Sequence, residues 1–239
     1  MEIKKKFILT IVLLSYLATA INGAIVITGL ENMAKDLDLN QSVLSWVQNS
    51  YVLAWGCFML LGGRLSDVFG RRGILNLSLL LFGIGSLFAG IATSATILIF
   101  SRFIQGVGAS ILAPTSLALI MDYFTGEERI KAIAWYSSIS GLGMCIGLVM
   151  GGTLASFFSW RYGFFIYLPL IVFMLIVSMK MLNKNNKKHS KGYFDICGTI
   201  ASVIGIFSFV YAVNGASNIW LWLIVSCISL FLFMRIESK

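Results

Sequence analysis

Long, nearly unbroken apolar blocks alternate with short polar stretches along this chain. The blocks are too long for strands, and they lack the one-sided stripe of a soluble amphipathic helix. Eight are read as membrane-crossing helices: Phe7 to Leu30, Val43 to Leu61, Ile74 to Ala92, Ile97 to Met121, Ile133 to Phe157, Tyr162 to Met181, Ile196 to Val213 and Ile219 to Met234. A crossing needs about 20 mostly apolar residues and about 17 at the least, so the eighth block, with 16, is the weakest. In hydrocarbon a helix satisfies every backbone group within its own segment. The fold class predicted is therefore an all-α, polytopic membrane protein of about eight transmembrane helices.

Composition adds the solvent. Of the 239 residues, 58% are hydrophobic and 12% charged, far more apolar surface than a soluble globule buries. The opening Lys4-Lys5-Lys6, an apolar run and Ala18-Thr19-Ala20 follow the plan of a secretory signal peptide. The run continues through Ile25-Val26-Ile27 to Leu30, full crossing length, and is read as an uncleaved first helix.

Lysine and arginine divide unevenly between alternate sides of the eight blocks: of 18, fifteen fall on one side, Lys35 and Arg161 on the other, and Arg102 inside a block. By the positive-inside rule both termini are cytoplasmic, in a cell-membrane protein. The net charge of +8 is then a topology signal, and its scatter over loops speaks against nucleic acid. Cys57, Cys145, Cys197 and Cys227 lie singly within blocks, as small packing residues, and His189 lies in a basic loop. Neither a metal or cofactor site nor an enzyme's catalytic cluster can be assembled from these residues. The polar, basic stretch 183–194 separates a six-helix unit, 1–182, from a trailing helix pair, 195–239.

The densest polar signal is Gly63-Arg64-Leu65-Ser66-Asp67-Val68-Phe69-Gly70-Arg71-Arg72 between the second and third blocks. Three arginines and an aspartate cannot lie in hydrocarbon, so a short, glycine-constrained polar loop is expected, with an Asp67–Arg71 pair at four-residue spacing. In the fourth block Arg102, Gln105, Gly106, Ala109 and Ala113 are expected on one face. Arg102 either faces a cavity with Gln105 or snorkels to the outer headgroups; its companion Gln105 favours the cavity. Gly143, Gly147 and Gly151, with Gly152 beside the last, form a stripe for close helix packing.

With these motifs the chain resembles the major facilitator superfamily, and within it the fourteen-helix drug:proton antiporters. Gly63 to Arg72 is similar to the family's signature between helices two and three, with Val68 where a basic residue is usual. Arg102 to Ala109 resembles the fourth-helix motif and Gly143 to Gly152 the fifth-helix antiporter motif, with Leu148 in place of its proline. Trp46-Val47, Tyr51, Trp160-Arg161, Pro169, Asp195 and Gly198 extend the likeness along nearly the whole chain. The resemblance implies a six-helix bundle plus an extra helix pair, and alternating access between two bundles. Asn22 stands where the family carries an aspartate, and asparagine cannot titrate. Glu31, where proline is common, is expected to be solvated. Proton coupling then falls to Arg102 with a water chain, to Asp67 or Asp122, or to residues outside this chain. Asn22, Gln48, Tyr51, Trp55, Arg102, Gln105, Asp122 and Tyr136 are the expected substrate or proton pathway, and Gly63, Arg64, Asp67, Gly70, Arg71, Arg72 and the fifth-helix glycines the conformational machinery.

Three functions follow. The first is proton-driven efflux of lipophilic drugs, with flat, lipophilic solutes, cations included, held on Gln48, Tyr51 and Trp55. The second is carriage of another small solute without proton coupling. The third is a non-transporting module, because the chain stops at Lys239 where a second bundle would follow. A transporting form then needs a homodimer or a partner that supplies that bundle.

Overall fold

A computed structural model describes residues 2–182, 196–213 and 218–237, all of its regular structure helical. The elements are α1 Glu2–Asp36, α2 Gln41–Phe69, α3 Arg71–Gly90, α4 Ala95–Tyr123, α5 Gly126–Phe157, α6 Tyr162–Phe165, α7 Tyr167–Met181, α8 Ile196–Val213 and α9 Ile219–Glu237. The basic stretch 183–194 lies outside the described residues.

Helix boundaries follow local chemistry. Asn40 Oδ1 accepts the Val43 amide at 2.9 Å and Ser94 Oγ accepts the Ile97 amide at 3.4 Å, capping α2 and α4. The sixth crossing is broken between α6 and α7. Pro169 has no amide to donate to the Phe165 carbonyl, and α7 restarts so that Pro169 falls in its first turn, where a missing amide costs nothing. Among the described residues, seven helices are long and apolar enough to cross a membrane, taking α6 and α7 as one, and Ile200–Val213 of α8 is apolar as well. The block expected to be weakest is longer than expected, α9 running 19 residues, while α8 has the 18 residues of the expected seventh block.

The expected loop at Gly63 to Arg72 is corrected. Gly63 to Phe69 are the last turns of α2, Arg71 and Arg72 open α3, and the break is Gly70 alone, at φ 92°. That positive φ suits glycine. The charges leave hydrocarbon along the ends of two helices, so no loop is needed.

Glycine contacts give the packing. A Cβ on Gly143, Gly147 or Gly151 would strike Ala20, Ala24 or Ile25 in turn, so α5 runs parallel to α1 at close range. Gly106 meets the Tyr51 carbonyl oxygen and Gly62 the Ile111 Cα, setting α4 parallel to α2. Gly85 abuts Ser101 and Gln105 while Gly108 abuts Ser78 and Phe82, setting α3 antiparallel to α4. Pairs α1/α5 and α4/α2 are equivalent under exchange of the first three crossings with the next three, a three-plus-three internal repeat. Lys5 to Glu128 at 2.5 Å and Asn32 Nδ2 to the Ala155 carbonyl at 2.6 Å staple α1 to α5 at opposite ends.

The core holds Ile8, Ile11, Leu75, Leu79, Phe82, Leu112, Leu119, Tyr167 and Met174. Leu80, Ile84, Phe88, Val149 and Phe173 face outward, as a lipid solvent requires. Cys57 is buried against α8, but Cys145 and Cys227 are exposed on helix surfaces and pack nothing inside. The helix pair rests on α2, where Trp46 lies 6.0 Å from Tyr211, itself 4.9 Å from Trp222. Trp46 therefore joins α2 to the pair, beyond any interfacial role.

Candidate functional site

Three helices meet at Arg102, and a fourth is joined through Gln105. It is 1% exposed, so the snorkelling alternative is set aside. Its Nη1 donates to Asn22 Oδ1 on α1 at 2.7 Å and to Gln105 Oε1 at 2.5 Å. Its Nε donates to the Val47 carbonyl on α2 at 3.3 Å, and its Cζ sits 4.2 Å from the centre of the Tyr51 ring. Gln105 Nε2 donates to Ser86 Oγ on α3 at 2.8 Å, and Ser86 Oγ donates to the Phe82 carbonyl at 2.8 Å. Hydrogen bonds thus run from α1 and α2 through α4 to α3. A planar guanidinium suits this role because its fork reaches several acceptors while its face stacks on an aromatic ring.

Every acceptor of Arg102 is neutral. Gln48 Oε1 is buried without a hydrogen-bond partner, and the buried Tyr167 hydroxyl lies beside the Asn22 side chain. Orphaned buried groups are expensive and gather at functional sites.

Of the other expected residues, Tyr51 is half-buried against Arg102 and Trp55 is exposed. Tyr136 does not join the cluster. It stacks on Tyr16 of α1 at 4.2 Å and donates to the Ala113 carbonyl at 3.3 Å, a separate aromatic station. The shared face expected on α4 divides, with Gly106 against α2 and Gln105 against α3, where Gly108, outside that face, also packs. Gly152 has no atom within 4 Å of a built Cβ, and Gly63 meets only Pro114 at 3.8 Å. Gly62 holds the close contact instead. Glu31 is exposed and pairs with Lys35 at 2.7 Å.

At the basic end Arg71 pairs with Asp67, and its Nε donates to Asp122 at 3.1 Å while Nη1 donates to Ser66 at 2.5 Å. One buried guanidinium therefore ties the ends of α2, α3 and α4. Arg72 donates to the Leu182 carbonyl at 3.2 Å, and Arg64 is half-buried nearby in α2. At the opposite end Asp36 accepts from Arg161 and, at 3.1 Å, from Trp160, while Arg161 Nη2 reaches the Ala92 carbonyl at 3.0 Å. Asp122→Ala is expected to cost about 1.5–3 kcal/mol, the worth of a charged hydrogen bond between helices. Asp67→Ala should cost about 0.5 kcal/mol, because its side chain is 48% exposed. Thermal unfolding in detergent compares the two, and equal losses would remove the inter-helix role of Asp122.

The Major Facilitator Superfamily model matches residues 12–235. The chain belongs to this family of membrane transporters. It is 34% identical over 213 residues to the puromycin resistance protein pur8 of Streptomyces alboniger, covering 89% of this chain and 42% of that protein. It is 30% identical over 231 residues to multidrug resistance protein 3 of Bacillus subtilis (strain 168), covering 97% and 45%. The chain thus spans less than half the length of these relatives. Among solved structures it resembles a D-xylose–proton symporter with a TM-score of 0.60 at 17% identity, covering 95% of this chain and 66% of that one. That likeness concerns the fold alone.

Proposed function

We propose that this bundle forms one wall of the pathway of a carrier that exports lipophilic small molecules by alternating access, with its basic end and both termini in the cytoplasm. The observation that carries the reading is the Arg102 network, a buried guanidinium whose hydrogen bonds, extended through Gln105, link four membrane helices. Intramembrane charge is costly and is kept where function needs it. Lipophilic drugs are the favoured substrates because the relatives are named for antibiotic and multidrug resistance. The opposing wall is a second bundle, against which this one rocks.

On coupling, the geometry favours a carrier without proton exchange at position 22. The Asn22 amide holds Arg102 there, and Asp67 and Asp122 are engaged with Arg71 at the basic end. Dye flux into proteoliposomes, with an imposed pH gradient and a protonophore, tests both parts. Flux that follows the dye gradient and ignores the protonophore is expected. Accumulation driven by the pH gradient would overturn the coupling reading, and no flux from folded, inserted protein, reconstituted both alone and together with a second bundle, would overturn transport.

A further inference from the structure

We propose that the basic end of this bundle binds one anionic phospholipid, seated in a cavity between α1 and α5 with its phosphate on Lys6 and Lys131. The site lies apart from the Arg102 cluster and does not rest on the transport reading.

The cavity, of about 230 Å³, opens between two helix faces. On α1, Lys5 and Leu9 share a face at four-residue spacing with Lys6 beside them, and on α5, Glu128, Lys131 and Trp135 recur at helical spacing. The walls divide by depth. The three lysines and Glu128 stand before the apolar blocks that begin at Phe7 and Ile133, whereas Leu9 and Trp135 lie just inside them. The cavity therefore straddles the boundary between water and hydrocarbon, where phospholipid headgroups sit and tryptophan is enriched. Trp135 is 59% exposed there. A cavity of this size takes a headgroup, and the acyl chains continue past Leu9 into the bilayer.

Charge sets the kind of lipid. Three lysines face one glutamate in the lining. Lys5 donates to Glu128 at 2.5 Å, and its Nζ lies 5.8 Å from the centre of the buried Phe124 ring, so this pair is held in place. Lys6 has no acidic partner among the described residues. Lys131 meets Glu127 only at 3.9 Å, with side chains 76% and 90% exposed, a contact worth little. Two ammonium groups are thus left to a phosphate, and basic pockets between membrane helices at headgroup level suit anionic lipids.

Native mass spectrometry of the purified chain in maltoside micelles counts bound lipids and reads their affinity. Phosphatidylglycerol is expected to bind once per chain, about tenfold or more tighter than phosphatidylcholine with the same acyl chains. Lys6→Gln with Lys131→Gln should weaken it about thirtyfold, at about fivefold per lysine. Lys180→Gln with Arg235→Gln removes as much charge from the last turns of α7 and α9, on the same side by the charge count and outside the cavity, and should keep the preference. Glu128→Gln should tighten phosphatidylglycerol about fivefold by removing the negative charge of the lining, a gain that loss of an α1/α5 staple would not give. Equal affinity for the two lipids, or equal losses from the two double variants, would overturn the site. Soluble glycerol phosphate bound as tightly as the lipid would make the occupant a free phosphate, and dimers that exclude the lipid would make it a second copy; either result overturns the lipid assignment.

Discussion

Replacing Arg102 by methionine is expected to stop transport and to leave a folded protein about as stable as the parent. The change removes a charge that is 1% exposed and has no acidic partner among the described residues. Relief of that desolvation cost is worth several kcal/mol, and buried ionic groups replaced by apolar ones of similar volume often give neutral or more stable proteins, by about 1–4 kcal/mol. Against this stand the amide oxygens of Asn22 and Gln105, each left without its donor at about 1–3 kcal/mol. The opposing contributions are of similar size, so the unfolding temperature in detergent should move by only a few degrees, while dye flux at matched protein density falls about 100-fold or more. Arg102→Lys should give intermediate flux, because an ammonium keeps the charge but cannot fork to three acceptors while stacking on Tyr51. A variant that loses stability and flux in proportion would make Arg102 a structural strut and remove it from the transport pathway.

The features that sequence made legible are those in which one residue's chemistry is incompatible with its neighbours. Arg102 and Gln105 stand out in an apolar block, and both prove central to the cluster. The glycine spacing of α5 gives its face, and Asp67 with Arg71 gives a pair. What stayed hidden are partners whose side chains look ordinary in any membrane helix. Ser86 is one of many serines and, like Ser15, Ser78, Ser101 and Ser110, bonds back to its own helix, so nothing marks it as the acceptor of Gln105. The Val47 carbonyl has no sequence signature at all. Gly62, Gly85 and Gly108 have no fourfold spacing, and their role appears only when α3 and α2 are laid on α4. Polarity and apparent depth group Tyr136 with Arg102, whereas its ring meets Tyr16 instead. Depth along a helix can be counted from a sequence, but direction around a bundle depends on which helices are neighbours.

The last large effect concerns the α1/α5 contact, where Gly147→Leu is expected to abolish most of the folded protein. A Cβ at position 147 would stand 2.7 Å from Ala24 Cβ, 2.8 Å from the Ile21 carbonyl oxygen and 3.0 Å from the Ile21 Cα. Two of these are backbone atoms, so no rotamer change relieves the clash, and the helices must separate. In a bilayer no hydrophobic force presses them together again, because lipid tails are as apolar as leucine. Cohesion rests on close packing, and a gap of about 0.5–1 Å already forfeits a quarter to a half of it. Overpacking costs about 1–3 kcal/mol in a core that can adjust, and more is expected here. Gly147→Ala should lower the unfolding temperature moderately, whereas Gly152→Leu, with open space around its built Cβ, should change little. A Gly147→Leu protein as stable as Gly152→Leu would remove the stripe from the packing account. The contact also reaches the site. Ile21 and Ala24 flank Asn22, so a folded Gly147→Ala protein whose α1 has shifted should hold Asn22 away from Arg102 and lose flux out of proportion to its stability.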